Sequence, residues 1–246
     1  MKNETNQLEF LCLGSGSSGN CYLLGRGNEY VMIECGLPYR TIVSKMADHN
    51  ITIDNIKALV VSHSHNDHAL AVSDFESLGI PVFMPARVPN FGESSKPLKL
   101  TEWLQVRAFP VEHDVDCYGF VFATAERETV LFVTDTKYFE SKYFNYSYTY
   151  LMLECNHIRK QLEAIMNKAV AEGNQGKVFK FTRQAKFHLS LAGVKKILSG
   201  MNLEKTKAII LLHLSKECCN DDLIKKEVAA KFGKRTLVCY RQGGIN

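Results

Sequence analysis

The chain has 246 residues, 46% of them apolar, enough to build the core of one large domain. Thirty basic against 26 acidic side chains leave a formal net charge of +4. That permits a phosphate-bearing ligand but lacks the strong basic bias of a dedicated DNA-binding surface. Eight cysteines with no CxxC spacing argue against a disulfide scaffold and read as reduced thiols in a cytoplasmic protein. The polar start "MKNETNQ" does not read as a signal peptide, and no apolar run approaches the roughly 18 residues that span a bilayer.

The first half reads mainly as strands. "LEFLCLG", "CYLLG" and "YVMIE" are short β-type runs separated by "GSGSSGN" and "GRGNE" turns. Pro38 to Asn50 reads as a helix with proline near its start. "IKALVVS" (56–62) is an apolar strand, and Leu70, Val72, Phe75 and Leu78 fit a short helix ending at Gly79. "IPVFMP" is a strand, and residues 86–101 are loop-like. "WLQVRAFPV", "YGFVFATA" and "TVLFVTDT" then read as consecutive antiparallel strands.

The second half alternates. "YLMLE" is a strand, and His157 to Glu172 keeps helical spacing. Residues 173–187, "GNQGKVFKFTRQAKF", read as a basic, aromatic loop able to act as a lid over a pocket, in its own chain or a neighbour's. "SLAGVKKILSG" is a helix, "AIILLHLS" a strand, "DDLIKKEVAAKF" a helix and "RTLVCY" a last strand. No linker or repeat interrupts this order. Two strand-rich sets with helices outside them predict a single α/β domain over residues 1–246, layered αββα.

The run "VVSHSHNDHAL" carries the chemistry. His63, His65, Asp67 and His68 follow directly on a buried strand. In extended chain, residues i and i+2 point the same way, so His63 and His65 can share one ion. Asp67 and His68 turn back at a helix start and can reach a second. The bland reading makes Asp67 a helix cap. Downstream, His113, Asp135 and His213 each emerge near the end of an apolar strand, where a rigid sheet can fix a ligand. Imidazole and carboxylate donors suit Zn²⁺.

This ordered set resembles the metallo-β-lactamase fold superfamily, whose four-layer αββα sandwich is thereby implied. The resemblance implies two Zn²⁺ per chain: His63, His65 and His113 on one, Asp67, His68 and His213 on the other, with Asp135 bridging. Seven ligands for two ions leave an open position, which implies hydrolysis. "LGSGSSGNCYLL", "EHDVDCYGF", "LMLECNH", "FHLSLAGVKKIL" and "IILLHLSKEC" are similar to the branch holding tRNase Z and the YycJ/WalJ proteins. There a strand-end Glu pairs with a His near the leaving oxygen of a phosphodiester, which makes Glu154 and His188, with Asp67, the implied catalytic set.

Three departures from the YycJ-like pattern stand out: "FHLSL" in place of "GHLSN", Glu34 in place of an aspartate, and Lys137 after "TDT". They suggest a changed substrate. The chain also resembles the anti-Pycsar proteins, which implies hydrolysis of 3′,5′-cyclic nucleotides such as cyclic CMP and cyclic UMP in a host cytoplasm, by a homodimer. The alternative is a nuclease acting on DNA ends; the other is a non-catalytic or thioester-directed relative. Gly14 to Gly19 matches GxGxxG, yet a strand rather than a helix follows, so a dinucleotide site is excluded. The loop is expected instead near the metals, with Ser17 and Ser18 against substrate. Seven aromatics between Tyr138 and Tyr150 are candidates for stacking a base or building a dimer interface.

Overall fold

A computed structural model describes residues 7–85, 87 and 96–245. β1 (Glu9–Gly14), β2 (Cys21–Arg26) and β3 (Glu29–Ile33) form an antiparallel meander. α1 (Tyr39–Ala47) crosses over to β4 (Ile56–Val60), parallel to β3. The helix buries Ile42 and Met46, one turn apart, against that sheet. Then come α2 (Asn66–Ala69), α3 (Val72–Ser77) and the two-residue β5 (Val82–Phe83), which closes a five-stranded sheet in the order β1-β2-β3-β4-β5.

The second sheet has the order β12-β11-β10-β9-β8-β7-β6. β6 (Leu98–Lys99), β7 (Leu104–Val111), β8 (Cys117–Thr124) and β9 (Thr129–Val133) pair antiparallel. β10 (Tyr150–Glu154), β11 (Ala208–Leu212) and β12 (Arg235–Val238) continue in parallel. Their crossovers are α4 (Arg159–Ala171), α5 (Gln175–Phe187) and α6 (Leu191–Ser199), then α7 (Asp221–Phe232). Three of these helices, α5, α6 and α7, have a local reason to start where they do. Asn174, Ser190 and Asn220 accept the N–H of Lys177, Gly193 and Leu223, and Gly233 ends α7 in the left-handed region at φ 63°.

Tyr22, Phe120, Phe122, Phe132 and Met152 fill the space between the sheets. A second apolar layer packs α6 and α7 on the outer face of the larger sheet, and a third packs α1 and α3 on the smaller one. This is the expected αββα order. Truncating a buried phenylalanine of the inner layer costs about 3–5 kcal/mol. All eight cysteines are free, seven of them buried. Among the described residues no helix is long and apolar enough to cross a membrane.

Two expectations change. Residues 175–187 are a helix, not a loop: it pairs with α4 and buries Phe181 and Gln184. Its apolar residues form no continuous stripe, with Phe179 72% exposed, so the periodic signal is weak. The expected loop at 86–101 lies partly outside the described residues, and the remainder includes β6.

Candidate metal centre

Strand ends at one edge of the sandwich deliver the polar side chains. Glu34 follows β3, His63 follows β4, His113 follows β7, Asp135 follows β9, Glu154 ends β10 and His213 follows β11. Five of these six strands lie in parallel pairs, whose carboxyl ends are the usual place for a ligand in an α/β sheet. Glu34, Asp135 and His213 leave their strands with positive φ of 62°, 45° and 54°. Non-glycine residues in that region cost of order 1–3 kcal/mol each. The turn points each side chain back into the cluster rather than along the strand.

Asp135 divides the site. Its Oδ2 lies 3.9 Å from His63 Nε2 and 3.8 Å from His113 Nε2, and its Oδ1 lies 3.2 Å from His68 Nε2 and 3.5 Å from His213 Nδ1. On the first side, His65 Nδ1 is 3.0 Å from His63 Nε2 and 3.3 Å from His113 Nε2. On the second, Asp67 Oδ2 is 3.6 Å from His68 Nε2 and 3.5 Å from His213 Nε2. Asp67 caps nothing: the capping position of α2 is His65, without a side-chain bond.

This donor set fits two metal ions. His63, His65, His113 and Asp135 offer ligand atoms within 4.8 Å of one another, and so do Asp67, His68, Asp135 and His213. The nitrogen spacings on the first side match the roughly 3.3 Å edge of a tetrahedron with bonds of about 2.0–2.1 Å. His213 Nε2 is buried and has no hydrogen-bond partner. His63 Nδ1 is 2.8 Å from Ser62 Oγ, which leaves Nε2 for the centre.

Charge follows the same division. Burial, then His68, push the His63 pKa far down, and burial lowers that of His113. Burial also opposes charge on His68 and His213, but Asp135 and other carboxylates outweigh it. Both are raised, His213 to about 10. Burial opposes ionisation of Asp135, yet His213 and His68 hold it well below the usual carboxylate range. The field that keeps these protons also attracts a divalent cation.

Glu154 belongs to a different unit. Its Oε1 is 2.6 Å from His188 Nδ1 and 3.1 Å from His213 Nδ1, and its Oε2 accepts the N–H of Thr136 and Leu189 at 3.2 and 3.1 Å. Four donors occupy a carboxylate's four lone-pair sites, so Glu154 orients histidines rather than binding an ion. Burial works against charge on His188, and Glu154 followed by Asp135 reverse that and raise its pKa.

A cavity of about 310 Å³ opens over the cluster, lined among others by Asp67, Asp135, His188, His213, Ser17 and Arg183. Ser17 stands where the sequence suggests; Ser18 is exposed and does not line the cavity. Leu191 is buried in the layer behind the larger sheet, and Lys137 is exposed away from the cavity wall. The departures at those positions therefore say nothing direct about substrate. Glu34 stays behind the site, accepting the Ser62 N–H at 3.3 Å and lying 3.5 Å from His68 Nδ1. The aromatic segment packs elsewhere: Phe139 and Tyr148 are buried, and Tyr143 stacks on Phe109 at 4.0 Å.

Sequence reasoning misses several polar residues here. Asn20 reaches His68 and the Asp67 carbonyl, Asn156 donates to the His213 carbonyl, and Gln184 donates to Asn156. Asp114 lies 3.0 Å from His113 Nε2 and accepts from Arg183. Asp114 adjoins a histidine already singled out, which is its only signal; the others depend on packing.

The metallo-β-lactamase superfamily model matches residues 14–86, the segment that holds the histidine run. The exodeoxyribonuclease WalJ of Streptococcus pneumoniae is 24% identical over 147 residues, 53% of this chain and 55% of WalJ. The chain thus spans about half the length of the curated relatives it matches. The metallo-β-lactamase fold protein YhfI of Bacillus subtilis superposes with a TM-score of 0.72 at 17% identity, over 97% of this chain and 98% of that one. Human tRNase Z, short form, gives 0.61 at 12% identity, over 96% and 98%. With two sheets between helices and a histidine–aspartate cluster suited to two metal ions at their shared edge, this chain has the metallo-β-lactamase fold.

Proposed function

We propose that this protein is a di-zinc phosphodiesterase that hydrolyses 3′,5′-cyclic nucleotides, cyclic CMP and cyclic UMP among them, to 5′-monophosphates, and so blunts cyclic-nucleotide immune signalling. The observation that carries the reading is the Glu154–His188 pair, 2.6 Å apart, with His188 in the wall of the cavity that Asp67, Asp135 and His213 also line. Bound zinc ions would supply an activated water at neutral pH and offset charge growing on the phosphate oxygens. The protein supplies the proton. With Nδ1 committed to Glu154, His188 has Nε2 left to protonate the departing ribose O3′ as the water oxygen bonds to phosphorus and the P–O3′ bond breaks. The carboxylate stabilises the charged ring before transfer and fixes its orientation throughout.

The size of the cavity supports a small substrate. About 310 Å³ lies at the low end of small-molecule sites and suits one nucleotide. The sequence match to an exodeoxyribonuclease favours a second reading, removal of nucleotides from a DNA end. Purified protein with zinc is offered cyclic CMP, cyclic UMP, cyclic AMP, cyclic GMP and linear duplex DNA in parallel. Release of 5′-monophosphate from cyclic substrates supports the first reading. DNA shortening with every cyclic nucleotide left intact replaces it with the second.

A further inference from the structure

We propose that Arg183, on α5, holds the substrate's phosphate in the cavity beside the His63, His65 and His113 group, with Asp114 as its positioning partner. The inference rests on the phosphodiesterase reading and adds the residue that recognises the anion.

α5 is fastened to the site by its own chain. Phe181 is fully buried, Gln184 Nε2 donates to Asn156 Oδ1 at 2.5 Å, and Phe187 meets the His113 ring edge-on with centroids 5.8 Å apart. These contacts fix the helix so that Arg183 and Lys180 line the cavity wall. Arg183 Nη2 lies 3.5 Å from His65 Nε2, so the guanidinium sits beside the first group of metal ligands.

An exposed arginine–aspartate pair alone contributes little, about 0–1 kcal/mol. This pair has a different use. Arg183 Nε and Nη2 both donate to one oxygen, Asp114 Oδ2. A guanidinium has five N–H donors; two serve Asp114, which leaves up to three for another acceptor. Asp114 therefore orients the planar group without exhausting it, and planar donors match phosphate oxygens in pairs. Lys180, one turn earlier, pairs with Glu217 and adds positive charge to the same wall. The non-bridging oxygens of a phosphodiester, or the dianionic phosphate of a 5′-mononucleotide, are the acceptors of matching chemistry.

The test uses the full zinc-loaded chain, with 5′-CMP as binding probe and bis(p-nitrophenyl) phosphate as a substrate without a nucleoside. For Arg183→Ala, the Kd for 5′-CMP and the KM should each rise about tenfold or more, with kcat changed about twofold at most. Arg183→Lys should fall between the two proteins, and Asp114→Asn should weaken binding less than Arg183→Ala. Lys177→Ala, a cation on the same helix that does not line the cavity, should bind as the parent does. Unchanged Kd and KM in Arg183→Ala overturn the assignment, as does an equal loss in Lys177→Ala or a parent protein that does not bind 5′-CMP. A parent that binds 5′-CMP but cleaves no phosphodiester defeats the phosphodiesterase reading alone, and binding by Arg183→Ala still decides the clamp.

Discussion

Glu154 and His188 meet at 2.6 Å, and the same carboxylate oxygen lies 3.1 Å from His213. One buried acid thus ties the proposed proton donor to a metal-ligand candidate. Replacing His188 with alanine should lower kcat by about 10²–10⁴ while leaving metal content unchanged. Glu154→Gln should also lower kcat, because the amide presents only one acceptor oxygen to four N–H donors. Turnover and bound zinc are measured on the same samples. Undiminished turnover in His188→Ala removes the acid role.

Asp135 faces both groups of ligands through different oxygens, which yields a stoichiometric prediction. The parent should bind two zinc ions per chain and His213→Ala one. Asp135→Ala should weaken both sites, because each loses a ligand. Elemental analysis after dialysis reads the counts, and circular dichroism confirms folding. Two tightly held ions in folded Asp135→Ala would contradict the bridging arrangement.

The contrast between these residues and Arg183 shows what a sequence can carry. His63, His65, Asp67 and His68 fall within six residues, and Asp135 and His213 stand out as polar residues ending apolar runs. Each is legible because it stands in or directly after a strand-like apolar run. Arg183 meets Asp114 69 positions away only because α5 folds back over the site. That helix is itself faint in the sequence: Gly176 lies in its first turn, and its phenylalanines point in different directions. Leu191 shows the reverse error, a departure from a family pattern that looks like substrate recognition and is core packing.

Metal removal should cost stability as well as activity. A ligand that binds only the folded state stabilises it by RT ln(1 + [L]/Kd), about 4 kcal/mol at a thousandfold excess over Kd. In a chain of this size each kcal/mol moves Tm by about 2–4 °C. Chelation should therefore lower Tm by roughly 10 °C, and added zinc should restore it. Calorimetry with and without chelator makes the comparison. An unchanged Tm together with full loss of activity would mean that the ions contribute nothing to folding.

Gly36 offers a purely steric test of how the histidine run is held. A Cβ there would lie 1.8 Å from the Asp67 carbonyl oxygen and 2.6 Å from the His68 amide nitrogen. Neither atom belongs to a flexible side chain. Both lie in the turn locked by the Cys35 N–H on the His68 carbonyl at 2.7 Å and the Asn20 N–H on the Asp67 carbonyl at 2.8 Å. Gly36→Ala must push that turn away from the sheet, carrying Asp67 and His68 with it. Overpacking of this kind costs about 1–3 kcal/mol or more. The variant should melt several degrees lower and bind its second metal ion more weakly, while His63, His65 and His113 keep the first. Parallel thermal melts and zinc titrations separate the two effects; normal values in both would mean that the turn relaxes without disturbing the ligands.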